Sequence, residues 1–340
     1  MARITIADIA RHAGVSTGAV SYALNDRPGV SEQTRARILK VADDLGWAPS
    51  AAARSLSGAR SEAIALVLAR DPGMLGVESF YMQFLAGVES ELAKRSYALL
   101  LQVVPDLESE VRTYRRWRAA RRVDGVVMVD PRSSDPRIPL FQADGALPVV
   151  VVGDPSLAGG LTSVWTDDAG ALRECVRHLC RAGHRRVARV GGLAEFGHTA
   201  IRDEAFTTET ARLAMEGRVV GTDYSAAQGG AATRRLLTGD APPTAIVYDN
   251  DVMALAGLGV AAELGVKVPA DLSLVAWDDS PLCEATYPQL SALSHDVTSY
   301  GAHVTRRLFE VMDGAAPGAY LDSTPVLRLR GTTAPANPAR

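Results

Sequence analysis

Residues 5–24 constrain this chain more than any other segment, because one glycine, Gly14, divides two short runs whose small and apolar side chains recur at helical spacing. Thr5 and Asp8 form a T-x-x-D capping box, so the first helix should begin at Ile6. Ile6, Ile9, Ala10 and Ala13 then share one face, where alanine lets a second helix pack close. Gly14 supplies a turn in which positive φ is cheap. Ser16 is placed to cap the second helix, with Val20 and Leu24 facing the core. Residues 25–29, Asn-Asp-Arg-Pro-Gly, read as a loop. Ser31 then caps a third helix with an apolar stripe of Ile38, Val41, Ala42 and Leu45, ended by Gly46. Residues 48–56, Ala-Pro-Ser-Ala-Ala-Ala-Arg-Ser-Leu, form a short helix candidate that ends in Leu56. The first pair of helices has the helix-turn-helix pattern that fits a DNA major groove, and the short helix has the shape of a minor-groove wedge. A small helical domain that binds protein would show the same stripe, so that alternative stays open on these residues alone.

Charge distribution favours the nucleic-acid reading modestly. Residues 1–60 hold eight Lys or Arg and five Asp or Glu, a balance of +3, so the rest of the chain carries −6 of the overall −3. A positive head suits phosphate binding, and a negative body stays off DNA. At 340 residues, two or three domains with sizeable cores are expected. No basic segment leads an apolar run and no stretch of about 18 apolar residues exists, so the chain is expected in the cytoplasm. Cys175, Cys180 and Cys283 show no CxxC spacing and are expected as reduced, buried thiols.

From about residue 62, short apolar runs alternate with amphipathic runs of helix length. Strands are expected at 63–69, 97–104, 125–129, 148–152, 187–190, 245–248 and 274–277, and helices near 80–95, 108–121, 167–182, 199–215, 225–237, 250–264 and 298–313. That alternation predicts an α/β region of parallel sheets covered on both faces, too large for one sheet and divided near Pro155, Gly159 and Gly160. Ligands of open α/β sheets bind at the carboxyl ends of the strands, and two lobes would place the site between them. Polar or aromatic groups just after strands are therefore candidates: Phe80 and Tyr81 (with Glu78), Asp130, His198, Arg202, Asn250 between Asp249 and Asp251, and Trp277 followed by Asp278 and Asp279. Asn, Asp and Arg can each bond two hydroxyls and an aromatic face can stack on a sugar ring, which is a chemistry for sugars or other polyols. Simpler roles compete: a helix cap for Asp251 or Asp279, a core position for Trp277, and a surface pair of Arg202 with Asp203 or Glu204.

The motifs, in order, resemble the LacI/GalR family of bacterial regulators. The matching runs are T-I-A-D-I-A-R-H-A-G-V-S at 5–16, V-S-Y-A-L-N at 20–25, P-G-V-S at 28–31, A-A-A-R-S-L at 51–56, H-L-C-R-A-G-H-R-R-V-A at 178–188, and V-P-A-D-L-S-L-V-A-W-D-D-S-P-L at 268–282. The resemblance implies a helix-turn-helix three-helix domain over 1–48, a hinge helix and linker over 49–60, and a two-lobed periplasmic-binding-protein-like domain of doubly wound parallel sheets over 61–340. Lobe 1 would take about 61–161 and 294–322, and lobe 2 about 162–293 and 323–340, with crossings near 160–165, 291–296 and 320–325.

By motif position, the resemblance assigns Arg202, Asn250 and Asp278 to the effector, with Trp277 in place of the usual Phe or Tyr and His295 on a crossing strand. The candidate DNA contacts are Thr5, Ser16, Thr17, Gly18, Ser21, Tyr22 and Asn25 in the head, and Ala53 and Leu56 in the hinge. Thr17, Gly18 and Tyr22 would face bases while Ser16, Ser21 and Asn25 hold phosphates. Ala19 and Tyr22 replace the frequent Thr and Arg of the recognition helix; a tyrosine cannot read guanine bidentately, so the preferred half-site should differ. Where relatives often have Asn-Pro-Phe-Phe, this chain has Glu78-Ser79-Phe80-Tyr81, and the segment between Phe206 and Tyr224 is shorter than usual.

The implied function is a sequence-specific repressor of carbohydrate-use genes that binds pseudo-palindromic operator DNA as a homodimer. A small, sugar-like effector would control it from between the lobes, with a purine left open, and no cofactor or metal is expected. The Pro-containing end at 332–340 does not sustain leucine heptads, which points to a dimer and not a tetramer. A secreted solute-binding protein would share the lobes but not a 60-residue basic head. Against an enzyme, His184, His198, His295 and His303 lack metal-ligand spacing, Gly191-Gly192 is no dinucleotide fingerprint, and G-x-S-x-G is absent.

Overall fold

The computed structural model describes residues 4–25, 27–47, 60–70 and 79–337. By internal contacts the chain divides into one unit over 1–61 and another over 62–340. In the first, α1 (Ile6–Ala13), α2 (Thr17–Leu24) and α3 (Glu32–Asp44) enclose Ile9, Ala13, Val20, Ala23, Ile38 and Ala42. The expected capping box is present: the Thr5 hydroxyl accepts from the Asp8 amide and the Asp8 carboxylate accepts from the Thr5 amide. Gly14 adopts φ +65° and turns the chain into α2, which Ser16 caps. Ile6, expected on the core face, is instead 36% exposed at the very start of α1, where the helix has no turn before it to cover the side chain.

The second unit holds two six-stranded sheets. Sheet one comprises β1 (Ala63–Ala69), β2 (Ala98–Val104), β3 (Gly125–Met128), β4 (Val149–Val152), β5 (Ser163–Thr166) and β11 (Ala319–Ser323), in the order β11-β5-β4-β3-β1-β2, all parallel. Sheet two comprises β6 (Arg186–Gly191), β7 (Glu216–Gly221), β8 (Ala245–Tyr248), β9 (Ser273–Trp277), β10 (Ser291–Ser294) and β12 (Val326–Arg328), in the order β12-β10-β9-β8-β6-β7, with only β12 antiparallel. Helices α4 (Ser79–Leu92), α5 (Leu107–Ala119), α6 (Arg137–Gln142) and α12 (Val297–Met312) belong to the first lobe. Helices α7 (Asp168–Arg181), α8 (Gly197–Arg212), α9 (Ala226–Leu237), α10 (Asp251–Glu263) and α11 (Pro281–Ala285) belong to the second.

The central strands β1, β3, β4, β8 and β9 are buried on both faces, which explains their apolar runs. Along β1, Ile64, Leu66 and Leu68 face one apolar layer while Ala65 and Val67 face the other. Along β8, Ile246 and Tyr248 face one layer and Ala245 and Val247 the opposite one. Two glycines set the helix packing of the first lobe: a Cβ on Gly87 would lie 1.9 Å from the Thr298 carbonyl oxygen, and one on Gly301 would lie 2.2 Å from that of Phe84. Only glycine lets α4 and α12 approach this closely.

Ser163–Thr166 hydrogen-bonds within sheet one, so the chain leaves that sheet after Thr166, later than the division at 161 and 162 expected from sequence. It crosses again between Ser294 and Val297 and between Ser323 and Val326. Strands β5, β7, β10, β11 and β12 and the short helices α6 and α11 were not anticipated. Edge strands such as β7 and β11 are half exposed and carry polar residues, so they lack an apolar run. Among the described residues, no helix is long and apolar enough to cross a membrane.

Candidate functional site

In the head, Thr17, Gly18 and Tyr22 of α2 are exposed, and Tyr22 is 45% exposed beside Gly29. Ser16 caps the same helix, accepting from the Ala19 amide at 3.1 Å. Asn25 donates one amide hydrogen to the Ser21 carbonyl at 2.8 Å. Thr5, a candidate DNA contact, caps α1: both its amide, at 3.0 Å, and its hydroxyl, at 2.7 Å, donate to Asp8. Arg35 donates to the backbone carbonyls of Ala23 and Arg27 and so fastens α3 to the loop after α2. Ala53, Leu56 and Glu78 lie outside the described residues.

In the second unit, a cleft of about 1000 Å³, partly open to solvent, lies between the lobes. Phe80, Tyr81, Asp130, His198, Arg202, Asn250, Trp277, Asp278 and His295 all line it, whereas Asp279 does not. Each sheet reverses its strand order beside the cleft, between β3 and β1 in the first lobe and between β8 and β6 in the second. Loops after those strands splay apart and leave the crevice that ligands occupy in such folds.

The first lobe contributes a pair across its reversal point. Asp130, after β3 with φ +49°, accepts from Arg70 Nε at 2.9 Å and from the Tyr81 hydroxyl at 2.7 Å. Burial alone would raise the Asp130 pKa, but the Arg70 charge and these hydrogen bonds hold it well below the usual carboxylate range. The Asp130 backbone is fixed by Arg137, whose guanidinium donates to the carbonyls of Val129 and Asp130 and pairs with Glu110 and Asp135. The Arg70 guanidinium also reaches the second lobe, lying 4.6 Å from the Phe196 ring centre and 5.2 Å from that of Tyr224. Nearby, the Gly197 amide donates to the Pro131 carbonyl at 2.8 Å, and Arg132 pairs with Glu195 at 3.0 Å.

The second lobe contributes a larger network. Arg189, a fully buried residue within β6, binds Asp249 through both Nη atoms at 2.6 and 2.8 Å and Asp203 through Nε at 2.7 Å. Asp249 also accepts from the Gly192 amide and from Arg202 Nη1 at 3.2 Å. Arg202 donates from Nε to Asp168 at 2.8 Å and stacks 3.7 Å from the Trp277 ring centre. Arg202 is therefore buried in the cleft wall, not paired with Asp203 or Glu204 on the surface. Burial opposes the Asp249 charge, yet Arg189 and Arg202 hold its carboxyl well below the usual range.

Two imidazoles complete the lining. His198 Nε2 meets the Tyr224 hydroxyl at 2.7 Å, and burial, then the Arg202 charge, push its pKa down to about 4, so the ring is neutral near pH 7. His295 is also lowered by burial, and its Nδ1 is buried with no hydrogen-bond partner.

Several simpler roles are decided by geometry. Asn250, not Asp251, caps α10, accepting from the Met253 amide at 2.8 Å, while its Nδ2 donates to the Tyr224 carbonyl at 3.0 Å. Each polar end thus makes one bond within the protein, which fixes the side chain at the cleft wall. Asp251 accepts from the Ser280 hydroxyl, and burial raises its pKa. Asp279 is no cap either: it pairs with Arg330 at 2.6 Å. Trp277 is 1% exposed and packs in the core, yet one face carries Arg202 at the cleft. Cys180 is only half buried, whereas Cys175 and Cys283 are buried, all three as free thiols.

Sequence reasoning missed Arg70, Asp168 and Tyr224 as contributors, and named Asp249 only as a polar group after a strand, not as the centre of a buried network. Arg70 and Asp249 do stand directly after strands, so their positions alone carried a signal. Tyr224 follows β7, a strand that the apolar pattern did not reveal.

Known proteins match this architecture along most of its length. Residues 5–50 match the model described as bacterial regulatory proteins, lacI family, and residues 176–333 match that of a periplasmic binding protein-like domain. The HTH-type transcriptional regulator AglR of Rhizobium meliloti is 30% identical over 315 residues, covering 90% of this chain and 87% of its own. A LacI family transcriptional regulator from Bifidobacterium animalis subsp. lactis is 38% identical in a structure that superposes with TM-score 0.76, covering 82% of this chain and 100% of that one. The structure of a CelR–cellobiose complex is 26% identical with TM-score 0.73, covering 97% of this chain and 100% of that one.

Proposed function

Because this chain belongs to the LacI family of bacterial regulatory proteins, and is a DNA-binding transcription regulator, we propose that it represses carbohydrate-use genes under the control of a sugar-like effector held between its lobes. The observation that carries the effector half is the cleft into which aromatic rings, carboxylates and neutral imidazoles converge at both strand-order reversals. Such walls supply stacking faces and hydroxyl acceptors. The similar CelR structure, described as a cellobiose complex, supports a sugar.

Two protomers would set two heads on a pseudo-palindromic operator in the cytoplasm. Thr17, Gly18 and Tyr22 would meet base edges, with Ser16, Ser21 and Asn25 on phosphates. Ala53 and Leu56 of the hinge would enter the minor groove, where an apolar wedge bends the duplex. Effector binding would change lobe closure and through it operator affinity, by roughly 5- to 150-fold for ordinary coupling energies of about 1–3 kcal/mol.

Fluorescence anisotropy on DNA flanking the gene tests this, with the full chain titrated alone and with cellobiose, maltose, lactose or hypoxanthine. Specific binding that a sugar shifts at least fivefold is the expected result. Binding equal on specific and random DNA, or a shift from hypoxanthine alone, would overturn the operator or the sugar part respectively.

A further inference from the structure

We infer that the cleft takes an uncharged polyhydroxyl ligand and rejects sugar phosphates and uronates, because its walls hold more carboxylates than cations. This rests on the sugar reading of the same site and narrows it. Among the described residues, Asp130, Asp154, Asp168, Asp249, Asp251 and Asp278 line the cleft against Arg70 and Arg202, six formal negative charges to two positive, an excess of four. Arg189 behind Asp249 does not change the balance, since it also binds Asp203. With Asp251 protonated, as its burial favours, the excess is still three.

Neither lining arginine is positioned as an anion clamp. Arg202 is shared between Asp168 and Asp249 and covered by the Trp277 ring, and Arg70 is bound to Asp130. The imidazoles add no cation near pH 7, because burial lowers both His198 and His295.

One opposing effect is present. The first described turn of α4 and the starts of α7, α8 and α10 line the cleft, and each helix N-terminus carries roughly half a positive charge that draws anions. Asp168 and Asp251 are the first residues of α7 and α10, so resident carboxylates already occupy two of these ends. Roughly two dipole charges do not offset three or four formal ones.

The same wall suits hydroxyls. Ionised carboxylates only accept hydrogen bonds, and each sugar hydroxyl can donate one. The unpartnered His295 Nδ1 adds a further neutral group that can meet a hydroxyl. Phe80, half-buried in the lining, offers a ring face for a pyranose.

The test is calorimetric titration of the full chain with matched sets: glucose, glucose 6-phosphate and glucuronate; galactose, galactose 1-phosphate and galacturonate; cellobiose and cellobionate. The expected result is that at least one neutral sugar binds and its anionic partner binds at least 100-fold more weakly. An anionic member that binds as tightly as its neutral partner overturns the inference while leaving the sugar reading intact. If no sugar of either kind binds to protein that still binds operator, the sugar reading itself fails and takes this inference with it. Asp154→Asn then isolates the cause, since asparagine keeps the cap that Asp154 makes to the Ser156 amide at 2.9 Å but removes one charge. The neutral-to-anionic ratio should narrow severalfold; an unchanged ratio overturns the electrostatic origin.

Discussion

The two lobes repeat one strand order and place an Arg–Asp pair across the reversal point of each sheet, yet the pairs do different things. In the second lobe, Arg189 sits inside β6, fully buried, and both its Nη atoms face Asp249 at the end of β8. In the first, Arg70 stands one residue beyond β1, binds Asp130 through Nε only, and turns its plane toward Phe196 and Tyr224 of the opposite lobe. Sliding the arginine past the strand end converts an internal brace into a contact between lobes. The second lobe thus presents a wall held by its own network, while the wall of the first lobe is completed by the other lobe.

Breaking the internal brace should have the largest effect. Asp249→Ala leaves Arg189 fully buried with only Asp203, whose side chain is 31% exposed, as a partner. Removing one member of a buried ion pair costs about 3–5 kcal/mol, because the remaining charge is not compensated. Arg202 loses one of its two carboxylates as well. Urea unfolding of the second unit should show a loss in that range, with operator affinity reduced only through the smaller folded fraction. A loss under about 1 kcal/mol would mean that the network braces nothing.

Breaking the pair between lobes should cost less stability and more response. Arg70→Ala removes one charged hydrogen bond from Asp130, whose side chain is 16% exposed in the cleft, so a loss of about 1–3 kcal/mol is expected. The Tyr81 hydroxyl still donates to Asp130. The effector-dependent change in operator affinity should weaken roughly 10-fold or more, while operator binding without effector is kept. An unfolding loss as large as that of Asp249→Ala, with a normal effector response, would erase the distinction between the lobes.

The sequence carries the first lesson of this comparison and conceals the second. Strand-end positions were legible because β1, β3, β6 and β8 are apolar runs bounded by polar residues, and nine effector candidates do meet in one cleft. What each side chain does there depends on neighbours far along the chain. Asn250 lines the cleft as expected, but its orientation is set by the Met253 amide and the Tyr224 carbonyl, and Tyr224 follows an edge strand with no apolar signature. Arg189 interrupts a buried strand, and nothing local tells that its partners lie 14 and 60 residues away. The capping box was legible to the residue, because its partners stand three positions apart. The same box shows that Thr5, read as a DNA contact, directs its donors to Asp8.

The smallest expected effect tests where the two networks meet. His198 lies between the pairs, touched by Tyr224 and influenced by Arg202, Asp130, Asp249 and Arg70. Its pKa falls from an ordinary 6.5 to about 4 on folding, chiefly through burial. The folded state therefore binds the proton less readily than the unfolded one. This group's contribution to stability is complete above about pH 6.5 and declines as pH falls toward 4, since the unfolded chain gains protons that the folded chain refuses. Between pH 7 and pH 5 the loss should amount to about 1–2 kcal/mol. His184 and His295 are lowered too, so the His198 share is the part of the slope that disappears in His198→Gln. Arg70 disfavours the protonated ring, so in the Arg70→Ala background the folded pKa should rise and the His198 share shrink. Urea midpoints at pH 7 and pH 5 for the four proteins read this directly. If His198→Gln leaves the slope unchanged, the ring is not buried between the lobes in solution. If Arg70→Ala leaves the His198 share unchanged, the first lobe's arginine does not reach the second lobe's wall.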